Sequence, residues 1–138
     1  MDPLPKRLLL VYDGSTISDR ALDAAIARAL ADDATVTLLG VVPPRLWRAR
    51  RGQFQIPPDK HDEAFAHEQL ARAKQRCKEA GVRAETRVRT GAPAHVIAEE
   101  AARGFQVLVM PERQSLTGAP SLAKVLTVPA ETEIVAIS

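Results

Sequence analysis

Asp13, Gly14 and Ser15 follow directly on the apolar run Leu8-Leu9-Leu10-Val11-Tyr12, and of all this chain's residues they are the best placed to do chemistry. A short apolar strand that stops at an acid, a glycine and a hydroxyl marks a strand-to-helix junction, where open α/β sheets hold their ligands. Asp13 brings a carboxylate to that junction. An acid in this position also hydrogen-bonds its own turn, so its residue type leaves a structural and a ligand-binding role both open. The second candidate ligand loop spans residues 111–121 and reads Pro111-Glu112-Arg113-Gln114-Ser115-Leu116-Thr117-Gly118-Ala119-Pro120-Ser121. Cradling phosphates takes several converging N–H donors on backbone free to adopt positive φ. Pro111 and Pro120 have no N–H to give, and Glu112 adds negative charge. Arg113, Ser115, Thr117 and Ser121 compensate only in part through their side chains, and Gly118 is the only glycine after Gly104.

Other chemistry-bearing residues do not assemble into a site. His61, His67 and His95 lack the spacing and the cysteine partners of a metal set, so no metal site is expected. Asp13-Gly14-Ser15 lacks the flanking glycines of a nucleophile elbow, and Ser15 and Ser18 read as helix caps. Glu99-Glu100 and Asp32-Asp33 read as solvated acids on a helix face and at a turn. No acid–base pair emerges, and no catalytic residue is nominated. Arg45, Arg48, Arg50 and Arg51 crowd around Trp47. Such a cluster can touch RNA or a protein partner, and it can equally be a solvated loop that Trp47 anchors to the body.

The composition limits what these residues can belong to. A chain of 138 residues with 46% hydrophobic content suits one globular domain, residues 1–138, with a core of its own. Aromatic residues make up 4%, which leaves little stacking surface for nucleic-acid bases. With 19 basic and 17 acidic residues the net charge is +2, too small to call for a polyanionic partner. The single cysteine, Cys77, permits no intrachain disulfide and suits a reducing compartment. No apolar run reaches membrane-spanning length and the N-terminal one is too short for a secretory signal, so the expected location is the cytoplasm and no membrane partner is expected.

Five predicted strands alternate with helices. The first strand, residues 8–12, leads into a helix over residues 18–31 with Ser18 at its N-cap and Leu22, Ala25, Ile26, Ala29 and Leu30 on its apolar face. Asp32-Asp33 turns the chain into a second strand, residues 34–42, which Pro43-Pro44 stops. Residues 43–58 contain four prolines and four arginines without a clean period and read as a long loop. A helix over residues 59–80 buries Ala66, Leu70, Ala73, Cys77 and Ala80, and Gly81 ends it. Residues 82–89 alternate apolar and charged, as a strand with one wet side does. Thr90-Gly91-Ala92-Pro93 opens a third helix with Val96, Ile97 and Ala101 inward. A fourth strand over residues 106–110, a short helix over residues 121–126 and a fifth strand over residues 133–137 complete the chain.

This alternation predicts an α/β fold: a doubly wound, open, parallel five-stranded sheet with helices on both faces. The apolar first and fourth strands belong in the middle and the half-wet third strand at an edge, which gives the order 3-2-1-4-5. A ligand crevice then falls between strands one and four, bounded by Asp13, Gly14, Val42 and Pro111. The last strand, Ile134-Val135-Ala136-Ile137, takes the other edge without a lysine or proline guard, and such edges recruit other chains. Pairing of two copies would cover it; a short, shielded C-terminus is the alternative.

The ordered set Asp13-Gly14-Ser15, Ser18, Ala21-Leu22, Thr90-Gly91-Ala92-Pro93 with Ile97 and Ala101, the strand of residues 107–110, and Lys124-Val125-Leu126 resembles the universal stress protein family over nearly the whole chain. The resemblance implies a domain that is commonly a homodimer through its last strand and that acts in stress adaptation and signalling. Some members bind ATP through a glycine-rich loop after the fourth strand, ending in glycine and serine or threonine. Here Pro111 and Gln114 stand where its first two glycines should be, Pro120-Ser121 replaces the terminal pair, and the loop is several residues too short. The adenosine half is better kept, because the resemblance assigns that task to Asp13 and the strand end Val41-Val42.

The expectation is therefore a regulatory, non-catalytic protein that works by binding and lacks a tight grip on ATP. Candidate nucleotide contacts are Asp13, Gly14, Ser15, Val41, Val42, Pro111, Arg113, Gly118 and Ser121. No cofactor is expected, although ATP or AMP remains a possible ligand. The competing expectations are an ATP- or AMP-binding switch with slow hydrolysis, and a protein or RNA adaptor working through the Arg45 to Arg51 cluster.

Overall fold

Leu8, Leu9 and Leu10 are buried on both faces of β1 (Arg7–Val11), and a strand enclosed in this way must lie inside the sheet. The structure, a computed structural model, describes residues 6–43, 45–49, 52–56, 60–112 and 127–138. After β1 come α1 (Thr16–Asp32), β2 (Thr35–Val42), β3 (Arg45–Ala49), β4 (Gly52–Ile56) and α2 (Lys60–Glu79). Then follow β5 (Ala84–Thr90), α3 (Pro93–Ala101), β6 (Val107–Pro111) and β7 (Glu133–Ile137). The main sheet has the order β5-β2-β1-β6-β7 with every neighbouring pair parallel. Counting only its own strands, this is the expected 3-2-1-4-5 arrangement, with the half-wet strand and the C-terminal strand at opposite edges.

The two faces carry separate cores. Leu8, Leu10, Val36 and Leu38 point to one side, where Leu22, Ala25 and Ala29 of α1 and Leu70, Ala73 and Cys77 of α2 cover them. Leu9, Leu39, Leu108 and Met110 point to the other, beneath Val96, Ile97 and Ala101 of α3 and Phe105. Close approach of α2 requires Gly40, since a Cβ there would sit 3.2 Å from Leu70 Cδ1.

Several local expectations are corrected. Ser15, not Ser18, caps α1: it is extended (φ −74°, ψ 164°) and its side chain accepts from the Ser18 N–H at 3.2 Å. Ser18 is buried one turn in, where its hydroxyl donates to the Ser15 carbonyl at 2.9 Å. Leu30 is not part of the apolar face but 57% exposed, because α1 rests on Ala21, Leu22, Ala25 and Ala29. Ala80 is likewise exposed, beyond the last turn of α2. The loop expected over residues 43–58 contains an antiparallel hairpin, β3 with β4, that forms its own two-stranded sheet. Flanking prolines concealed the strand-forming Trp47, Phe54 and Ile56 and a connection short enough for a hairpin. Asp32 is not merely solvated, since Arg28 Nε donates to its carboxylate at 2.8 Å and holds its pKa below the usual range. The short helix expected over residues 121–126 lies outside the described residues.

Glu100 departs most from expectation. Read as a solvated acid, it is fully buried between α3 and β5. Its Oε1 accepts from Arg87 at 3.0 Å and from Arg89 at 3.1 Å, so these two of the charged residues of β5 reach to α3 rather than only into water. Glu99 takes the outer position, bonded to Arg89 and, at 2.6 Å, to His95.

Candidate functional site

The strand order places the end of β1 beside the end of β6, where the chain order reverses across the sheet. A crevice opens at that switch point. It has a volume of 310 Å³, near the low end of the roughly 300–1,000 Å³ range of small-molecule pockets. Val11, Tyr12 and Asp13 form one wall and Met110 and Pro111 another, while Val41 closes it from β2. Pro93 and Ile97 cover it from α3. Such a slot is mostly apolar with a carboxylate at its mouth. It suits a flat heterocycle whose attached hydroxyls reach Asp13.

A second hollow of 200 Å³ adjoins the first on the α2 side, sharing Tyr12, Asp13 and Val41. Val42 lines this one, together with Gly40, Pro43 and the α2 residues Asp62, Phe65, Ala66 and Gln69. Phe65 is 53% exposed and presents an apolar ring at the rim.

Of the residues nominated from the sequence, Asp13, Val41 and Pro111 line the first crevice, and Val42 lines the adjoining hollow with Asp13 and Val41. Gly14 and Ser15 serve the turn instead. Asp13 accepts from the Ser15 N–H at 2.9 Å, Ser15 caps α1, and Gly14 adopts a left-handed φ of +83° against Gln69. Both roles left open for Asp13 are therefore compatible with its geometry. Arg113, Gly118 and Ser121 lie outside the described residues. Sequence reasoning missed Tyr12, Pro93, Ile97 and Met110 as walls, and Asp62, Phe65 and Gln69 entirely. Pro93 and Ile97 had a signal in the third-helix motif; the α2 residues had none, because only helix-on-sheet packing brings them near.

Immediately after β6 the backbone has little to offer an anion. Pro111 lacks an N–H, and the Glu112 N–H is already given to the Ile137 carbonyl at 2.7 Å. The β1 end is held firmly, because Tyr12 donates its hydroxyl to Asp19 at 2.6 Å. Burial first, and then this bond, raise the Tyr12 pKa from 10.0 to about 12. Arg76 of α2 bonds Asp23 and stands 3.8 Å from Asp19, tying both helices to the same corner. Among the described residues no group of histidine, cysteine or acidic side chains could hold a metal ion, and no helix is long and apolar enough to cross a membrane.

The family model of the universal stress proteins matches residues 5–126. The chain belongs to the universal stress protein family. Among solved structures, the universal stress protein from Archaeoglobus fulgidus superposes with a TM-score of 0.75 at 20% identity, over 98% of this chain and 100% of that one. A protein of the universal stress protein family from Burkholderia pseudomallei gives 0.68 at 25% identity, over 96% and 95%. A universal stress protein from Archaeoglobus fulgidus solved in complex with dAMP gives 0.71 at 17% identity, over 98% of both chains. Comparison with curated protein sequences finds no match. This universal stress protein thus shares its fold with these structures across almost its full length.

Proposed function

We propose that this universal stress protein is a regulatory binding protein, not a catalyst, whose crevice takes an adenosine monophosphate-type nucleotide without a tight grip on a triphosphate. The observation that carries the reading is the spent backbone after β6: Pro111 has no amide hydrogen and Glu112 has given its own to β7. The base fits the apolar slot among Val11, Val41, Ile97 and Met110, and the ribose hydroxyls meet Asp13. Fold relatives solved with dAMP and with cAMP support a monophosphate as the ligand class. The same reading has two copies pairing through β7 and places the protein in the cytoplasm, in keeping with a lone, buried Cys77 thiol.

Calorimetry with AMP and ATP tests the proposal. AMP should bind, ATP should bind Asp13-dependently no more than about tenfold tighter, a difference of about 1.4 kcal/mol, and Asp13→Ala should weaken both. Micromolar or tighter ATP binding that far exceeds AMP binding and disappears in Asp13→Ala would establish a triphosphate switch instead.

A further inference from the structure

A second cleft, of 620 Å³, lies at the opposite end of the strands. Arg7 begins β1, Thr35 begins β2 and Arg83 immediately precedes β5, so the cleft opens at the N-terminal edge of the sheet, away from the crevice. Lys74 and Lys78 of α2 complete its basic rim, and Glu85 is the one carboxylate among its lining residues.

These cations are not equivalent. Arg7 is engaged elsewhere, since its guanidinium donates to the Arg103 carbonyl at 3.1 Å and lies 4.4 Å from the centre of the Phe105 ring. Lys74, Lys78 and Arg83 have no carboxylate in salt-bridge range among the described residues, whereas Arg28, Arg76, Arg87 and Arg89 each have one. Lys74 and Lys78 stand one helical turn apart, on one face of α2, where like charges repel. The turn at Gly81 (φ +81°) then brings Arg83 to the same opening. Three cations without a carboxylate partner, against one acid, form a complementary surface for a multivalent anion. Glu85 opposes a singly charged ligand and sets a requirement for several negative charges.

We propose that this cleft is a second ligand site, for a small molecule bearing a phosphoanhydride chain. Lys74 and Lys78 act as point charges on the chain, and Arg83 supplies a forked pair of donors. Thr35, which lines the same cleft, adds a neutral hydroxyl to the donor set. Such a chain exists as inorganic polyphosphate and as the tail of a nucleoside triphosphate. The site is independent of Asp13, so it stands or falls separately from the nucleotide crevice.

Calorimetric titration of the full chain with tripolyphosphate, and in parallel with ATP, tests the proposal on the wild type and on Asp13→Ala, Lys74→Gln/Lys78→Gln and Arg83→Gln. Tripolyphosphate should bind the wild type and Asp13→Ala equally, weaken as ionic strength rises, and lose about tenfold or more in affinity in either basic-cleft variant. It should also raise the thermal midpoint of the wild type and leave that of Lys74→Gln/Lys78→Gln unmoved, which separates lost binding from lost folding. In Asp13→Ala, equal affinity for ATP and tripolyphosphate identifies the chain alone as the recognised group; tighter ATP adds the nucleoside to it. No saturable binding of tripolyphosphate, or binding undiminished in both basic-cleft variants, overturns the proposal.

Discussion

Gly14 holds a φ of +83°, a conformation that an L side chain adopts only with strain, and a Cβ built there would lie 2.5 Å from Gln69 Oε1. The side-chain end can swing away but the backbone cannot, so the strain should dominate. Gly14→Ala is expected to cost about 1–2 kcal/mol in urea unfolding. Adding Gln69→Ala should leave most of that loss in place; full recovery would assign the cost to the contact instead. Tyr12, the only tyrosine in the chain, makes a second residue measurable. Its folded pKa of about 12 lies above the unfolded 10.0, so its contribution to stability is complete below pH 10 and is lost as pH rises towards 12. Phenolate absorbance should therefore titrate near pH 12 in the native protein and near 10 in denaturant, and Asp19→Ala should lower the native midpoint. A native midpoint at 10 would remove the buried hydroxyl bond. Asp13, Gly14 and Ser15 were legible in the sequence as a junction. Which of them faces a ligand was not, because that depends on where α2 and α3 come to rest.

At the scale of elements, α3 is the least self-sufficient wall of the crevice. It has nine residues, and its N-cap Ala92 makes no side-chain cap bond, so packing must hold it in place. Val96, Ile97 and Ala101 supply the apolar part of that packing. Glu100 supplies the rest by bridging to Arg87 and Arg89 on β5. Glu100→Ala should destabilise the protein by about 2 kcal/mol, below the roughly 3–5 kcal/mol of a fully buried pair because both arginines remain partly solvated. Since Pro93 and Ile97 line the crevice, AMP affinity should fall in the same variant. Denaturant unfolding together with calorimetry would show it; unchanged stability would mean that apolar packing alone docks the helix. The alternation along β5 was visible in the sequence, but its charged side read as wet. A strand pattern reveals which residues share a face and not what lies opposite, so Glu100 could not be paired in advance.

For the molecule as a whole, the proposed pairing of two copies runs through β7. Glu133 N–H donates to the Gln106 carbonyl, and the Ile137 carbonyl accepts from Glu112. In a parallel ladder these bonds alternate, so the N–H and C=O groups of Ile134 and Ala136 point outward from the sheet. Ala136→Pro removes an outward donor and leaves the bonds to β6 intact. Sedimentation equilibrium should find a dimer for the wild type and a monomer for this variant, with circular dichroism unchanged. A monomeric wild type, or a variant that remains dimeric, would refute pairing through this edge.

By itself the sequence determined the strand order, the position of the switch point and the family, because apolar runs, alternation and turn residues are local patterns that each strand carries within itself. It also determined that Pro111, at the end of β6, has no amide hydrogen to offer, since proline lacks an N–H in any conformation. Only the tertiary structure decided that Glu100 is buried between two arginines, that α2 lends Phe65 and Gln69 to a hollow beside Asp13, and that Lys74, Lys78 and Arg83 gather at one cleft. Those relations join residues on different elements, and their distances exist only once helices have packed onto the sheet.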